Sequence, residues 1–177
     1  MDGLAQLLAV LMAMLFVFLI IGLAIYIVSA IFLMKILRRA GFEPPVAAWV
    51  PLWNSAAMLQ IAGVDKPWIW VGIVLSGSLV SGVLSDTGSS IVSLLSWVLS
   101  IAVLVVSVML VVWVARAVQA GLGLDNAGGV VLAVLIPFAW VIWMGLRADH
   151  APFFDAEAAR SIGATFPLSK YVASLGG

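Results

Sequence analysis

Few side chains in this sequence have the type and company that chemistry requires. His150 is the single histidine, and cysteine is absent. A metal or haem site in a helical bundle needs several histidines or carboxylates projecting inward. His150 has no such company, and Arg147 and Asp149 beside it mark the polar end of an apolar stretch. Lys35, Lys66 and Lys170 pose the question of a serine–lysine pair, in which the lysine takes the proton of a nucleophilic serine. Lys35 and Lys66 lie at the ends of apolar stretches and Lys170 in a short tail, so no scaffold for that geometry is expected. A proton pathway needs ionisable groups inside the membrane, and no apolar stretch carries one in its interior. The residues predict a non-enzyme with no metal and no cofactor of its own, for which lipids are the expected small-molecule contacts.

Two sets of uncharged polar residues remain. Asn54 and Gln60 interrupt an otherwise apolar segment. A carboxamide near the bilayer must find hydrogen-bond partners. The pair either binds a lipid headgroup or small polar substrate, or Asn54 caps a short helix and ties it to the bundle. The second set is made of small residues. Gly77, Ser81 and Ser85 recur every four residues, as do Gly72 with Ser76, while Ser93, Ser96, Ser100 and Ser107 follow a heptad-like spacing. Small residues at such intervals let helix backbones approach closely in lipid. A water-filled groove is the competing reading, and the absence of charge among these serines favours packing.

The elements that carry these residues follow from composition. The chain has 177 residues, 65% hydrophobic and 9% charged, with eight Lys and Arg against eight Asp and Glu. A soluble domain carries roughly 25% charged residues, so this composition excludes an ordinary soluble enzyme. It shows no basic patch of the kind nucleic acid requires. The expected fold is an all-α integral membrane protein. A crossing needs about 20 apolar residues, and four spans are predicted at about 4–34, 68–84, 89–115 and 127–146. The first lacks a basic n-region and is too long for a signal-peptide core, so it is expected to stay as a span. Between the first two, residues 51–62 read as a short interfacial or re-entrant helix, with Pro51 in its first turn and Gly63 at its end. A fifth crossing there is the alternative. Residues 1–147 form the bundle, and 148–177 an extramembrane tail with a short helix near 156–162.

Lys and Arg concentrate on the cytoplasmic side of membrane proteins. Four spans place Lys35, Arg38, Arg39, Lys66 and Arg116 inside, and the N-terminus and tail outside. Five spans leave the tail inside.

The stretch Ile31-Phe-Leu-Met-Lys-Ile-Leu-Arg-Arg-Ala-Gly41, then Ala48-Trp-Val-Pro-Leu-Trp-Asn54, Leu59-Gln-Ile-Ala-Gly63 and Lys66-Pro-Trp68, resembles a family of small bacterial multi-span membrane proteins of unknown function. A similar module precedes the catalytic domain in some type I signal peptidases. The likeness covers roughly residues 26–146, with a serine- and glycine-rich hairpin where the family has an Asn-containing apolar stretch. It implies a bacterial inner membrane and four spans, and no established activity.

The tail is too short to fold alone, yet Phe153, Phe154, Phe166 and Tyr171 alternate there with charges. These aromatics are expected to dock on a partner, the alternative being the protein's own membrane interface. The leading expectation is an accessory or scaffold subunit of a larger integral membrane complex, in contact with lipids and not with nucleic acid. The alternative is a small oligomeric transporter or channel.

Overall fold

The computed structural model describes residues 2–85, 90–124 and 126–166. Helix α1 runs over Asp2–Arg39, a 3-10 helix over Pro45–Trp49, α2 over Pro51–Ile61, α3 over Pro67–Ser85 and α4 over Ser90–Gly121. Then come α5 (Ala127–Leu135), α6 (Pro137–His150) and α7 (Ala156–Ala164), with no strand among the described residues. Three helices are long and apolar enough to cross a membrane: α1, α3 and α4. The chain is an all-helical membrane protein.

The helix boundaries follow from local chemistry. α1 closes with Arg38 and Arg39 in its last turn, where cations complement the helix dipole. Gly41 follows at φ 71°, a conformation that favours glycine. Proline stands at the start of α2 and of α6, where its missing N–H breaks no helical bond. The end of α2 matches the expectation: Gly63 adopts φ 75° and its N–H donates to Gln60 O at 3.0 Å. Its glycine is required twice, because a Cβ there would lie 2.7 Å from Arg160 Cα.

The fourth expected span is not a continuous helix. Pro137 disfavours helical backbone at the residue before it, and Ile136 sits at φ −139°, ψ 73°, between α5 and α6. The two helices fold back on each other. A Cβ on Gly129 of α5 would press into the indole of Trp143 of α6, although 14 residues of continuous helix would separate their backbones by about 21 Å. Asn126 caps α5 by accepting from Gly128 N at 2.9 Å.

This hairpin corrects the expected placement of the tail. Lys35 at the end of α1 and Asp149 at the end of α6 pair at 2.5 Å, so two ends expected on opposite faces lie side by side. α1 and α6 run parallel here, with Gly145 seated against Phe32. Asp155 N then donates to Gly121 O, at the end of α4, at 2.7 Å. The ends of α1, α4 and α6, the turn before α3, and α7 therefore form one base. The expected division at residue 147 also falls inside a packed element, since Ala148 and Ala151 are buried in the core.

The core sits in this base. Ile36, Leu37, Ala47, Ala48, Val118 and Met144 are fully buried together. Leu59, Ala62, Trp70, Ala117, Ala159 and Phe166 form a second cluster beneath α3 and α4. Above the base, residues 3–25 of α1 are exposed on every face.

Candidate binding groove

α1 packs on α6 and the 3-10 helix, whereas α4 packs on α3, α5 and α7. Between these two walls lies an open groove of about 570 Å³, within the range of small-molecule sites. α1 supplies Tyr26, Ser29, Ala30 and Leu33; α3 and α4 supply Trp70, Val74, Ser78, Ser107 and Leu110. Asn54, Ser55 and Met58 of α2 and Trp140 of α6 complete it. The lining is mainly apolar and carries no ionisable group except the Tyr26 phenol. Tyr26 donates from its hydroxyl to Trp49 O, tying the α1 wall to the 3-10 helix.

The polar residues of the walls are mostly satisfied by their own helices. Ser78 donates to Val74 O and Ser107 to Val103 O, both at 2.8 Å. Asn54 is different. The expected cap of α2 is in fact Val50, with no side-chain bond, so the capping role for Asn54 is overturned. Its Oδ1 accepts from Ser55 Oγ at 3.2 Å, and its Nδ2 has no partner among the described residues. Gln60 is exposed and does not line the groove. Six residues at 100° each set Asn54 and Gln60 about 120° apart on the helix, so they do not form one site.

The small residues divide in the same way. Gly77 faces Val103 across the α3–α4 contact. Ser96 Oγ crosses from α4 to Ser81 O at 2.7 Å, and both serines are buried. Ser81 donates back to Ser78 O, and Ser100 to Ser96 O. Gly72 meets nothing within 4 Å. Ser76 and Ser85 are exposed and bond to their own helix, and Ser93 is half-buried. The helix interface is thus Gly77, Ser81 and Ser96, with Gly72 outside it.

The tail aromatics are largely spent within the chain. Phe166 is 1% exposed, held edge-on by Trp70 at 5.0 Å and Trp113 at 5.6 Å between ring centres. Phe154 is half-buried over Gly121. The expectation that both dock on a partner is corrected: the tail finds in the base the external core it lacks. Phe153 remains exposed, and Tyr171 lies outside the described residues.

Sequence reasoning missed Gln119. It is 3% exposed, and with its amide oriented to suit its neighbours it donates to Asn126 O at 2.8 Å and accepts from Val130 N at 3.2 Å. It pins the start of the α5–α6 hairpin to α4. The available signal was a lone carboxamide beside an apolar helix end, followed by a Gly-Gly pair at 128–129.

No family model matches the chain, and neither the curated proteins nor the solved structures contain a significant match.

Proposed function

We propose that this chain is a non-catalytic accessory subunit of a bacterial inner-membrane complex, and that the first two-thirds of α1 is its docking arm. The observation that carries the reading is the arm itself. Residues 3–25 are uncharged, apolar apart from Gln6, and exposed on all faces, including large side chains such as Leu11, Phe16 and Phe18. Twenty-three residues of helix span about 35 Å, enough to cross the hydrocarbon. Helices that cross in company bury a face in dispersion contacts, and among the described residues nothing packs on the arm.

The same reading gives the topology. α1, α3 and α4 cross, α5–α6 enters and returns as a re-entrant hairpin, and α2 lies near the interface. Of the eight Lys and Arg, seven are described, and all seven flank the base; Lys170 lies outside the described residues. The base is then cytoplasmic by the positive-inside rule, the N-terminus is outside and α7 inside. The bacterial inner membrane is part of the proposal and rests on the sequence resemblance of residues 26–146 alone.

The test is co-purification from native membranes in gentle detergent, paired with photo-crosslinkers at Leu11 and Phe18. A discrete crosslinked protein of constant stoichiometry is expected. Converting the arm's Met and Phe residues to Leu keeps insertion and removes its surface relief, and should abolish that adduct. Diffuse lipid adducts alone, or a partner retained undiminished by the all-Leu arm, would overturn the reading. A transporter would instead give substrate flux from the purified chain in liposomes.

A further inference from the structure

The turn between α5 and α6 leaves backbone groups without partners at a depth where lipid supplies none. Ile136 N donates to Leu132 O, and Trp140 N donates to Ile136 O. Pro137 has no N–H to offer Ala133 O. The carbonyls of Ala133, Val134 and Leu135 and the N–H groups of Phe138 and Ala139 therefore have no hydrogen-bond partner among the described residues. Every helix end leaves such groups, and in water the solvent takes them. Here the turn lies deep. Asp149 pairs with Lys35 where the basic end of α1 begins. The stretch of α6 from Asp149 back to Pro137 rises about 18 Å from that pair, past the middle of a hydrocarbon core about 30 Å thick. Non-helical backbone at that depth persists only where protein buries it or water reaches it. Protein does not bury it: Leu135, Ile136 and Phe138 are 72%, 42% and 44% exposed.

The groove gives water a route. Ala133, Pro137 and Phe138 line it together with Ser29 and Asn54. Ser29 Oγ and Asn54 Nδ2 have no partner among the described residues, and both are accessible, whereas the indole nitrogens of Trp70, Trp113 and Trp140 are sealed. An acyl chain offers this set neither donor nor acceptor. Water offers both, to carbonyl, N–H, hydroxyl and amide alike. We propose that the groove is hydrated from Asn54 and Ser29 up to the α5–α6 turn, as an aqueous vestibule that ends near the middle of the membrane. The vestibule rests on the topology proposed above, in which α5–α6 enters the membrane and returns.

The chain has no cysteine, so Ile136→Cys in the full chain, reconstituted in vesicles of phosphatidylethanolamine and phosphatidylglycerol, reports on the turn directly. The probe is a small cationic methanethiosulfonate, which reacts with the thiolate, a form that apolar surroundings suppress. Ile101→Cys is the lipid-facing reference. Ile101 is 57% exposed, does not line the groove and lies about 16 Å along α4 from Ser90. Ile136→Cys should react at least about tenfold faster than Ile101→Cys. Equally slow reaction of the two overturns the vestibule. A maleimide on a bulky polyethylene glycol separates depth from hydration. It should leave Ile136→Cys unlabelled; labelling by the bulky reagent puts the turn outside the membrane and overturns the re-entrant topology together with the vestibule. Ser78→Trp fills the groove from an exposed position and should slow the small reagent at Ile136→Cys several-fold; an unchanged rate overturns the groove as the route. Amide exchange needs no substitution. The N–H groups of Phe138 and Ala139 in the unmutated chain should exchange as unbonded amides in water do, and protection of both overturns the proposal.

Discussion

Gly77 and Gly72 belong to the same serine- and glycine-rich stretch of α3, and the sequence alone treats them alike. Only Gly77 has a neighbour, Val103, where a side chain would stand. Leu at Gly77 must force α3 from α4 or displace Val103, an overpacking cost of about 1–3 kcal/mol. Leu at Gly72 meets lipid, where it is at home. Thermal unfolding in detergent should therefore drop for Gly77→Leu and hold for Gly72→Leu; equal behaviour would contradict this interface. Phe166 makes the stronger residue-scale claim. It is fully buried between two tryptophans, and Phe→Ala at such sites costs about 3–5 kcal/mol. Phe166→Ala should lower the melting temperature far more than Phe153→Ala, whose ring is exposed.

At the scale of elements, the fourth apolar stretch shows how far periodicity and length reach. Residues 127–146 have the length and hydropathy of a crossing. Pro137 was visible in them, but a proline inside an apolar run is equally compatible with a kinked span. The contact of Gly129 with Trp143 and the pairing of Lys35 with Asp149 turn the kink into a hairpin. Spin labels at Gly128 and Leu146 test this. A continuous helix would separate those backbones by about 27 Å, and the hairpin should give a distribution centred well below that. Gln119 holds the entry of the hairpin, so Gln119→Leu should strand Val130 N and broaden the same distribution, at a stability cost of about 1–3 kcal/mol. The short helices α2 and α7 were legible because their signals are local: Pro51 before and Gly63 after the first, and Asp155 capping the second by accepting from Glu157 N and Ala158 N.

For the whole molecule, the proposed topology puts the chain's last described residues on the same side of the membrane as the end of α1, next to which Asp149 lies. The chain has no cysteine, so single introduced cysteines report cleanly. With the base cytoplasmic, Asn126→Cys and Ser161→Cys should both be protected from an impermeant thiol reagent added to intact cells, and Ser85→Cys should be labelled. Labelling of Ser161→Cys together with protection of Asn126→Cys would restore four crossings. Truncation after His150 has a different expected outcome from that of a free docking tail. It removes Phe154, α7 and Phe166 from the base, so the protein should lose stability whether or not any partner is present.

What the sequence determined by itself is set by solvent. A chain that is 65% hydrophobic and 9% charged belongs in a bilayer as helices, because only helices and closed barrels satisfy the backbone there. Length, charge gaps and Gly/Pro punctuation then place α2, α3 and α7 to within about two residues, and α1 and α4 except for their last turn and a half, which run on to Arg39 and Gly121. What only the tertiary structure decided is which apolar surfaces meet. In a chain where nearly every face is apolar, hydropathy no longer separates core from lipid-facing surface, and small residues mark candidate contacts without selecting among them. Shape selects: Gly145 against Phe32, Gly121 beneath Phe154, and Gly163 upon Ala62 are decided by fit between segments remote in sequence. The groove follows from the same fits, since α1 is held by α6 and the 3-10 helix and stands apart from the α3–α4 pair for reasons no local pattern carries.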